Sequence, residues 1–148
     1  MKAVRYAMIG FGGIAENRIA KEGFACDAAR FKPLKQAVLI GATDVNTKRR
    51  RAAQALGLMW YRDTEAVLRD QTIDAVFVAT NNRTHAEIAR QALEAGKAVI
   101  VEKPLASTAR DARSLVALAK KKGLSLSVDH MMVHNVLNRH ARKWSEEG

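Results

Sequence analysis

Short apolar runs alternate along the chain with segments whose apolar residues recur every three or four positions. Val4–Ile9 reads as a buried strand, and residues 13–22 as a helix that Gly23 closes. Residues 24–36 have no period, with Cys26, Asp27, Arg30, Pro33 and Lys35 spread through them, and read as a loop or broken helix. Ala37–Thr43 is the second strand, with Asp44 at its end. A helix over 47–56 follows, with Ala52, Ala53 and Leu56 on one face and Gly57 closing it. Trp60 and Tyr61 form a short strand-like piece, and Thr64 caps a brief helix carrying Val67 and Leu68. Ile73–Ala79 has too few polar positions to face water, as expected of a parallel strand covered on both faces.

A helix over Thr84–Ala95 stops at Gly96, and the strand Ala98–Val101 runs into Glu102-Lys103-Pro104. Thr108 caps the next helix, with Asp111 three residues on as a capping-box variant. Ala112, Leu115, Val116 and Ala119 form its predicted apolar stripe, Gly123 ends it, and Leu124–Val128 is the last strand. This alternation predicts an α/β fold, a doubly wound parallel sheet with right-handed crossovers. In such sheets ligands lie beyond the carboxyl ends of the strands. Gly10, Asp44, Thr80, Lys103 and Asp129 all fall at such ends.

At 148 residues, 48% hydrophobic and 27% charged, the chain has the make-up of a folded domain with a core of its own. The lone Cys26 excludes an intramolecular disulfide and points to the reducing cytoplasm. No apolar stretch approaches the roughly 20 residues of a membrane span, and Gly10–Gly13 cut the first run too short for a secretory signal. The net charge of +10 raises the question of nucleic acid. Its basic runs, Lys48-Arg-Arg-Arg51 and Lys120-Lys-Lys122, fall on helices without interleaved aromatics, however. They read as a solvated helix face and a favourable helix end, so neither nucleic acid nor membrane is expected as a partner.

The chemistry starts at Gly10-Phe-Gly12-Gly13-Ile14-Ala15, a G-x-G-x-x-A variant of the dinucleotide fingerprint at a strand-to-helix turn. Gly10 makes the tight turn, and Gly12 leaves no side chain between backbone and a pyrophosphate. Ala15 lets the helix pack closely, and the helix N-terminus offers free N–H groups to the anion. Asp44 stands where such folds place a ribose acceptor, which favours NAD, although it lies farther on than the usual ~20 residues. The irregular stretch at 24–36 accounts for the excess, and Arg49 and Arg50 keep NADP open. Asn81 and Asn82 suit tight turns and offer amide contacts, and His85 is either a satisfied polar residue or a cofactor neighbour. Lys103 at a buried strand end calls for an anion, a carbonyl or a hydroxyl. Pro104 can take a cis bond that would aim it inward. No metal is assigned.

These motifs resemble the glucose-fructose oxidoreductase, inositol dehydrogenase and rhizopine-catabolism family, written Gfo/Idh/MocA. The matching residues are Gly10–Ala15, Ala42-Thr-Asp44, Ile73-Asp-Ala-Val, Ala79-Thr80 with Asn82 and His85, Ala92-Leu-Glu-Ala-Gly-Lys97, and Glu102-Lys-Pro-Leu105. The resemblance implies an NAD(P)-dependent oxidoreductase acting on a sugar or polyol hydroxyl. It implies nucleotide contacts from Gly10, Gly12, Gly13, Ile14, Asp44, Thr80, Asn82, His85, Glu102 and Lys103, with Lys103 as the catalytic residue beside the nicotinamide.

The stretch Val128-Asp-His-Met-Met-Val-His134 departs from the family's Gly-His-x-x-Arg-like pattern in its Asp129 and its lack of arginine. The family's second, strand-rich α+β domain, with the substrate pocket and an Asp-x-x-x-His pair, is absent from the sequence. His130, His134 and His140 are acid/base candidates by residue type alone. The expected organisation is therefore a Rossmann domain over 1–129, with 130–148 beginning a truncated C-terminal segment. Such a chain is expected to bind dinucleotide with weak turnover or none. A non-catalytic dinucleotide sensor is the alternative, and self-association through an exposed patch is left open.

Overall fold

The structure, a computed structural model, describes residues 2–130 and 136–147, with only the backbone of residues 136 and 137; His134 lies outside the described residues. Six strands, β1 (Val4–Ile9), β2 (Ala37–Thr43), β3 (Met59–Trp60), β4 (Ala75–Val78), β5 (Ala98–Glu102) and β6 (Leu126–Asp129), are found among the described residues. They make one parallel sheet in the order β3-β2-β1-β4-β5-β6. The helices are α1 (Ala15–Gly23), α2 (Arg50–Ala55), α3 (Thr64–Arg69), α4 (His85–Glu94), α5 (Ala109–Lys122) and α6 (Val136–Glu147). The expected doubly wound α/β fold is what the chain adopts.

The period of two along β1 explains the two covered faces. Ala7 and Ile9 point into a core with Val76, Val78, Val99, Val101, Leu93 and Leu115. Met8 points the other way, into a core with Phe11, Ala15, Ile19, Leu39, Ala53 and Phe77. With each β4 residue buried, no strand position there is available to water. Among the described residues no helix is long and apolar enough to cross a membrane.

Several local expectations are corrected. The first helix is wound as a π-helix over Ala15–Gly23, with Phe24 N–H donating to Ile19 C=O at 2.7 Å. Its reversal falls on Ala25 at φ 54 rather than on Gly23, because the wider turn carries the chain two residues further. Asp63, not Thr64, caps α3, its carboxylate accepting from Ala66 N–H at 2.8 Å. The stripe of α5 runs through Leu115, Leu118 and Ala119, while Val116 is turned about 100° away and lies exposed. Residues 47–49 form a 3-10 turn ahead of α2, capped by the Asn46 side chain. Thr108 caps α5 as expected, accepting from Asp111 N–H at 3.1 Å.

Candidate functional site

The carboxyl ends of β2, β1, β4 and β5 form one continuous row of contacts. Gly10 takes up φ 90 at the end of β1, and its N–H donates to Thr43 C=O at 2.9 Å. A Cβ there would lie 2.6 Å from Ala79 C and O and 2.8 Å from Thr80 N. Only glycine lets β1 and β4 end so close together, so this position is fixed by packing and by backbone conformation. Gly12 and Gly13 are different. Both are exposed, neither has a left-handed φ, and a Cβ on either would meet nothing within 4 Å. Nothing inside the protein asks for glycine at these positions, and the space in front of them is open. The first N–H groups of a helix have no intrahelical acceptor. Gly12, Gly13 and Ile14 are exposed, and their N–H groups have no backbone acceptor among the described residues.

The side chains of the β2–α2 connection grip the turn between these glycines. Phe11 is fully buried. Its N–H donates to Asp44 Oδ2 at 2.6 Å, and its C=O accepts from Arg49 Nε at 2.7 Å. Asp44 Oδ1 also accepts from Asn46 N–H at 2.7 Å. A carboxylate has about four lone-pair sites, so the half-buried Asp44 keeps acceptor capacity for a ribose hydroxyl. Arg49 Nη2 donates to Glu16 Oε2 at 2.5 Å, and Lys21 Nζ donates to Glu16 Oε1 at 2.8 Å. The Lys21 bond, with help from Arg49, holds the Glu16 carboxyl below its usual range despite burial.

On the β4 side, Thr80 is half-buried, and Thr84 Oγ1 donates to its hydroxyl at 2.8 Å. Asn81 caps the turn over 82–84, accepting from Arg83 N–H at 3.0 Å. The exposed Asn82 spends its C=O on Ser107 Oγ at 3.5 Å. His85 is buried, with Nδ1 at 2.8 Å from Pro104 C=O and Nε2 at 3.1 Å from Thr80 C=O. Both ring nitrogens face backbone carbonyl oxygens, and a neutral imidazole, with one N–H, donates to one of them. The ring lies between the end of β4 and the turn after β5.

Glu102 Oε2 accepts from Lys103 N–H at 3.0 Å. The Lys103–Pro104 bond is cis, and the Lys103 side chain is exposed. Its ammonium has no partner among the described residues. His130 is exposed, and His140 lies on α6 with its ring 6.3 Å from that of Trp144. Neither joins the row.

Asp44, Phe11, Gly10, Thr80, His85, Pro104 and Lys103 therefore follow one another by direct contact across four strand ends. Sequence reasoning missed Phe11 and Glu16, and it named Arg49 and Arg50 together without telling which of them turns inward. An aromatic residue between two glycines was the available signal for Phe11, whereas the basic run gave no way to separate Arg49 from its neighbours. Open glycine backbone, unspent helix N–H groups and a carboxylate with free lone pairs on the next strand fit a dinucleotide.

Over residues 4–130 the chain matches the family described as an oxidoreductase family with an NAD-binding Rossmann fold, Gfo/Idh/MocA. It is similar to a D-apiose dehydrogenase of Paraburkholderia graminis, 32% identical over 130 residues, or 86% of this chain and 32% of that protein. A 1,5-anhydro-D-fructose reductase of Ensifer adhaerens is 39% identical over 84 residues, or 57% of this chain and 25% of that protein. Among solved structures, a 3-ketoreductase from Actinomadura kijaniata in complex with NADP and TDP-benzene superposes with a TM-score of 0.86 at 28% identity. That match covers 99% of this chain and 43% of the ketoreductase. The chain spans about a third or less of the length of these two curated relatives.

Proposed function

Since the chain belongs to the Gfo/Idh/MocA family of oxidoreductases, we propose that it is the NAD(P)-binding part of an enzyme moving a hydride between nicotinamide and a sugar or polyol carbon. The observation that carries this reading is the contrast between Gly10, which the fold requires, and Gly12 and Gly13, which nothing inside the protein requires. The relatives named for anhydrofructose and apiose support the substrate class.

In this reading the N–H groups of Gly12, Gly13 and Ile14 receive the pyrophosphate, with Gly10 setting the turn that presents them. Asp44 accepts from a ribose hydroxyl, and its charge repels a 2′-phosphate, which favours NAD. Thr80, Asn82 and Glu102 line the path toward the nicotinamide, and His85 contributes from behind by holding Thr80 and Pro104 together. When bound, the cofactor supplies the hydride acceptor or donor. Lys103 supplies what a dinucleotide lacks, a cation at the reacting oxygen. Its ammonium donates to the substrate oxygen and stabilises the negative charge that develops there.

Calorimetric titration of the chain with NADH and NADPH tests this. Saturable binding is expected, and Gly12→Val, whose new side chain meets no protein atom, is expected to abolish it without lowering the melting temperature. Titrations that stay flat into the millimolar range for both nucleotides would remove the reading.

A further inference from the structure

Of the four basic residues at 48–51, Lys48, Arg50 and Arg51 are exposed and Arg49 is half-buried. Arg49 turns inward, with Nε on Phe11 C=O at 2.7 Å, Nη2 on Glu16 at 2.5 Å, and the guanidinium 6.0 Å from the Phe11 ring centroid. It lies beside Asp44 through their shared partner Phe11, so it is the cation best placed to meet a phosphate on the neighbouring ribose. Each Glu16 oxygen accepts one bond, from Arg49 at Oε2 and from Lys21 at Oε1.

We propose that Glu16 is a specificity-determining residue: by holding Arg49 on the glycine turn it withholds that cation from a 2′-phosphate and turns the site toward NAD. The inference rests on the dinucleotide reading above. A 2′-phosphate arriving near Asp44 meets one carboxylate directly, and needs a compensating cation to bind. Arg49 retains N–H donors for it, since a guanidinium has five. Its guanidinium is, however, already held at contact distance by Glu16, a carboxylate it shares with Lys21, and a phosphate joining Arg49 must share it with that second anion. Discrimination of this kind comes from an unfavourable contact with the wrong ligand as much as from a good one with the right ligand. Glu16 acts through Arg49 and is therefore a positioning residue, not a cofactor contact.

Calorimetric titrations of the chain and of Glu16→Gln with NAD and with NADP test the proposal. Glu16→Gln keeps the size and hydrogen-bonding reach of the side chain while removing its charge. Its expected effect is a roughly tenfold gain of NADP affinity relative to NAD, equivalent to about 1.4 kcal/mol. In an Arg49→Met background the same substitution is expected to leave the ratio unchanged. A ratio that does not move in Glu16→Gln, or that moves equally without Arg49, overturns the proposal. So does an equal fall in both affinities, which marks a purely structural role. A parent chain that binds neither nucleotide overturns the dinucleotide reading and this inference together.

Discussion

Lys97 and Lys103 stand at the two ends of β5, one entering the strand and one leaving it, and the protein treats them in opposite ways. Lys97 is only 3% exposed, and its Nζ donates to Asp70 C=O at 2.7 Å and to Ile73 C=O at 2.9 Å. Burial holds its ammonium below the usual lysine value against the attraction of Asp70 and Asp74. Lys103 is exposed, with a free ammonium among the described residues. The same contrast runs along the two edges of the sheet. At the amino edge Arg5 Nε donates to Thr72 C=O at 3.0 Å and Arg5 N–H to Asp74 Oδ2 at 2.8 Å, so polar groups there close on one another. At the carboxyl edge the glycine turn and Lys103 are held in place but left unspent. Polar groups consumed inside a protein stabilise it, and those left over are what a ligand can use.

The sharpest way to break this comparison is to remove the unspent lysine. On the function proposed above, Lys103→Ala should lower the rate of any hydride transfer by about 10²–10³-fold, the usual cost of losing one donor to a developing oxyanion. Its effect on unfolding should stay within about 0.5 kcal/mol, as for other surface positions. Steady-state turnover and urea denaturation of one variant read both quantities. A large loss of stability would place Lys103 with Lys97 and end the contrast.

The glycines offer the same test one strand away. Gly10→Ala puts a Cβ against the Ala79 and Thr80 backbone at a φ of 90, and should cost roughly 3 kcal/mol by clash and strain together. Gly12→Ala meets no protein atom. It should leave the unfolding midpoint unchanged and weaken NAD(P) binding about tenfold, about 1.4 kcal/mol. Denaturation curves and calorimetric titrations of the pair should thus show opposite phenotypes two residues apart.

At the amino edge, Lys97→Met keeps the aliphatic stem but strands the carbonyl of Ile73, while that of Asp70 keeps Ile73 N–H at 3.2 Å. Leaving a buried acceptor unpaired should cost about 1–3 kcal/mol in urea denaturation, with the dissociation constant for NAD(P) unmoved. A loss of cofactor affinity in a folded Lys97→Met chain would mean that the two edges are coupled.

Much of this was legible because it depends on local pattern. The doubly wound parallel sheet, the glycine turn and the Thr108 cap follow from period, spacing and residue type. The corrections come where two adjacent residues offer the same chemistry. Asp63 and Thr64 can both cap, and the choice depends on where the chain leaves β3. Val116 and Leu118 can both serve a helical stripe, and the choice depends on how α5 is rotated against β5. The π-winding of α1 needs Phe24 to reach Ile19, a contact that no period announces. Arg49 is the clearest case within the site. Its neighbours share its charge, and only the fold shows which of them faces Phe11. Lys97 and Lys103 both belong to the motifs quoted from the sequence, but burial alone separates their roles.

The smallest effect sharpens the amino-edge side of the comparison. Tyr61 is buried, and its hydroxyl donates to Asp70 Oδ2 at 2.7 Å, on the residue whose carbonyl receives Lys97. Burial first, and then the bond and charge of Asp70, push the Tyr61 hydroxyl up to about 12. Because the folded value lies above the unfolded value of about 10, the stability this adds is whole below pH 10. It drains away as pH rises toward 12. The Asp70 carboxyl, held low by Tyr61 and Thr72, has the opposite dependence. Its contribution is present above the ordinary value of about 3.9 and is lost as pH falls further. Lys97, lowered by burial, gains stability as pH rises, and therefore works against Tyr61 on the alkaline side. Tyr61→Phe leaves Lys97 in place, so the difference between parent and variant isolates the hydroxyl. That difference should be about 1 kcal/mol at pH 7 and fall through zero as pH rises from 10 toward 12 in urea denaturation series. A difference that stays constant from pH 7 to pH 12 would mean that the fold does not hold the Tyr61 proton above its ordinary value.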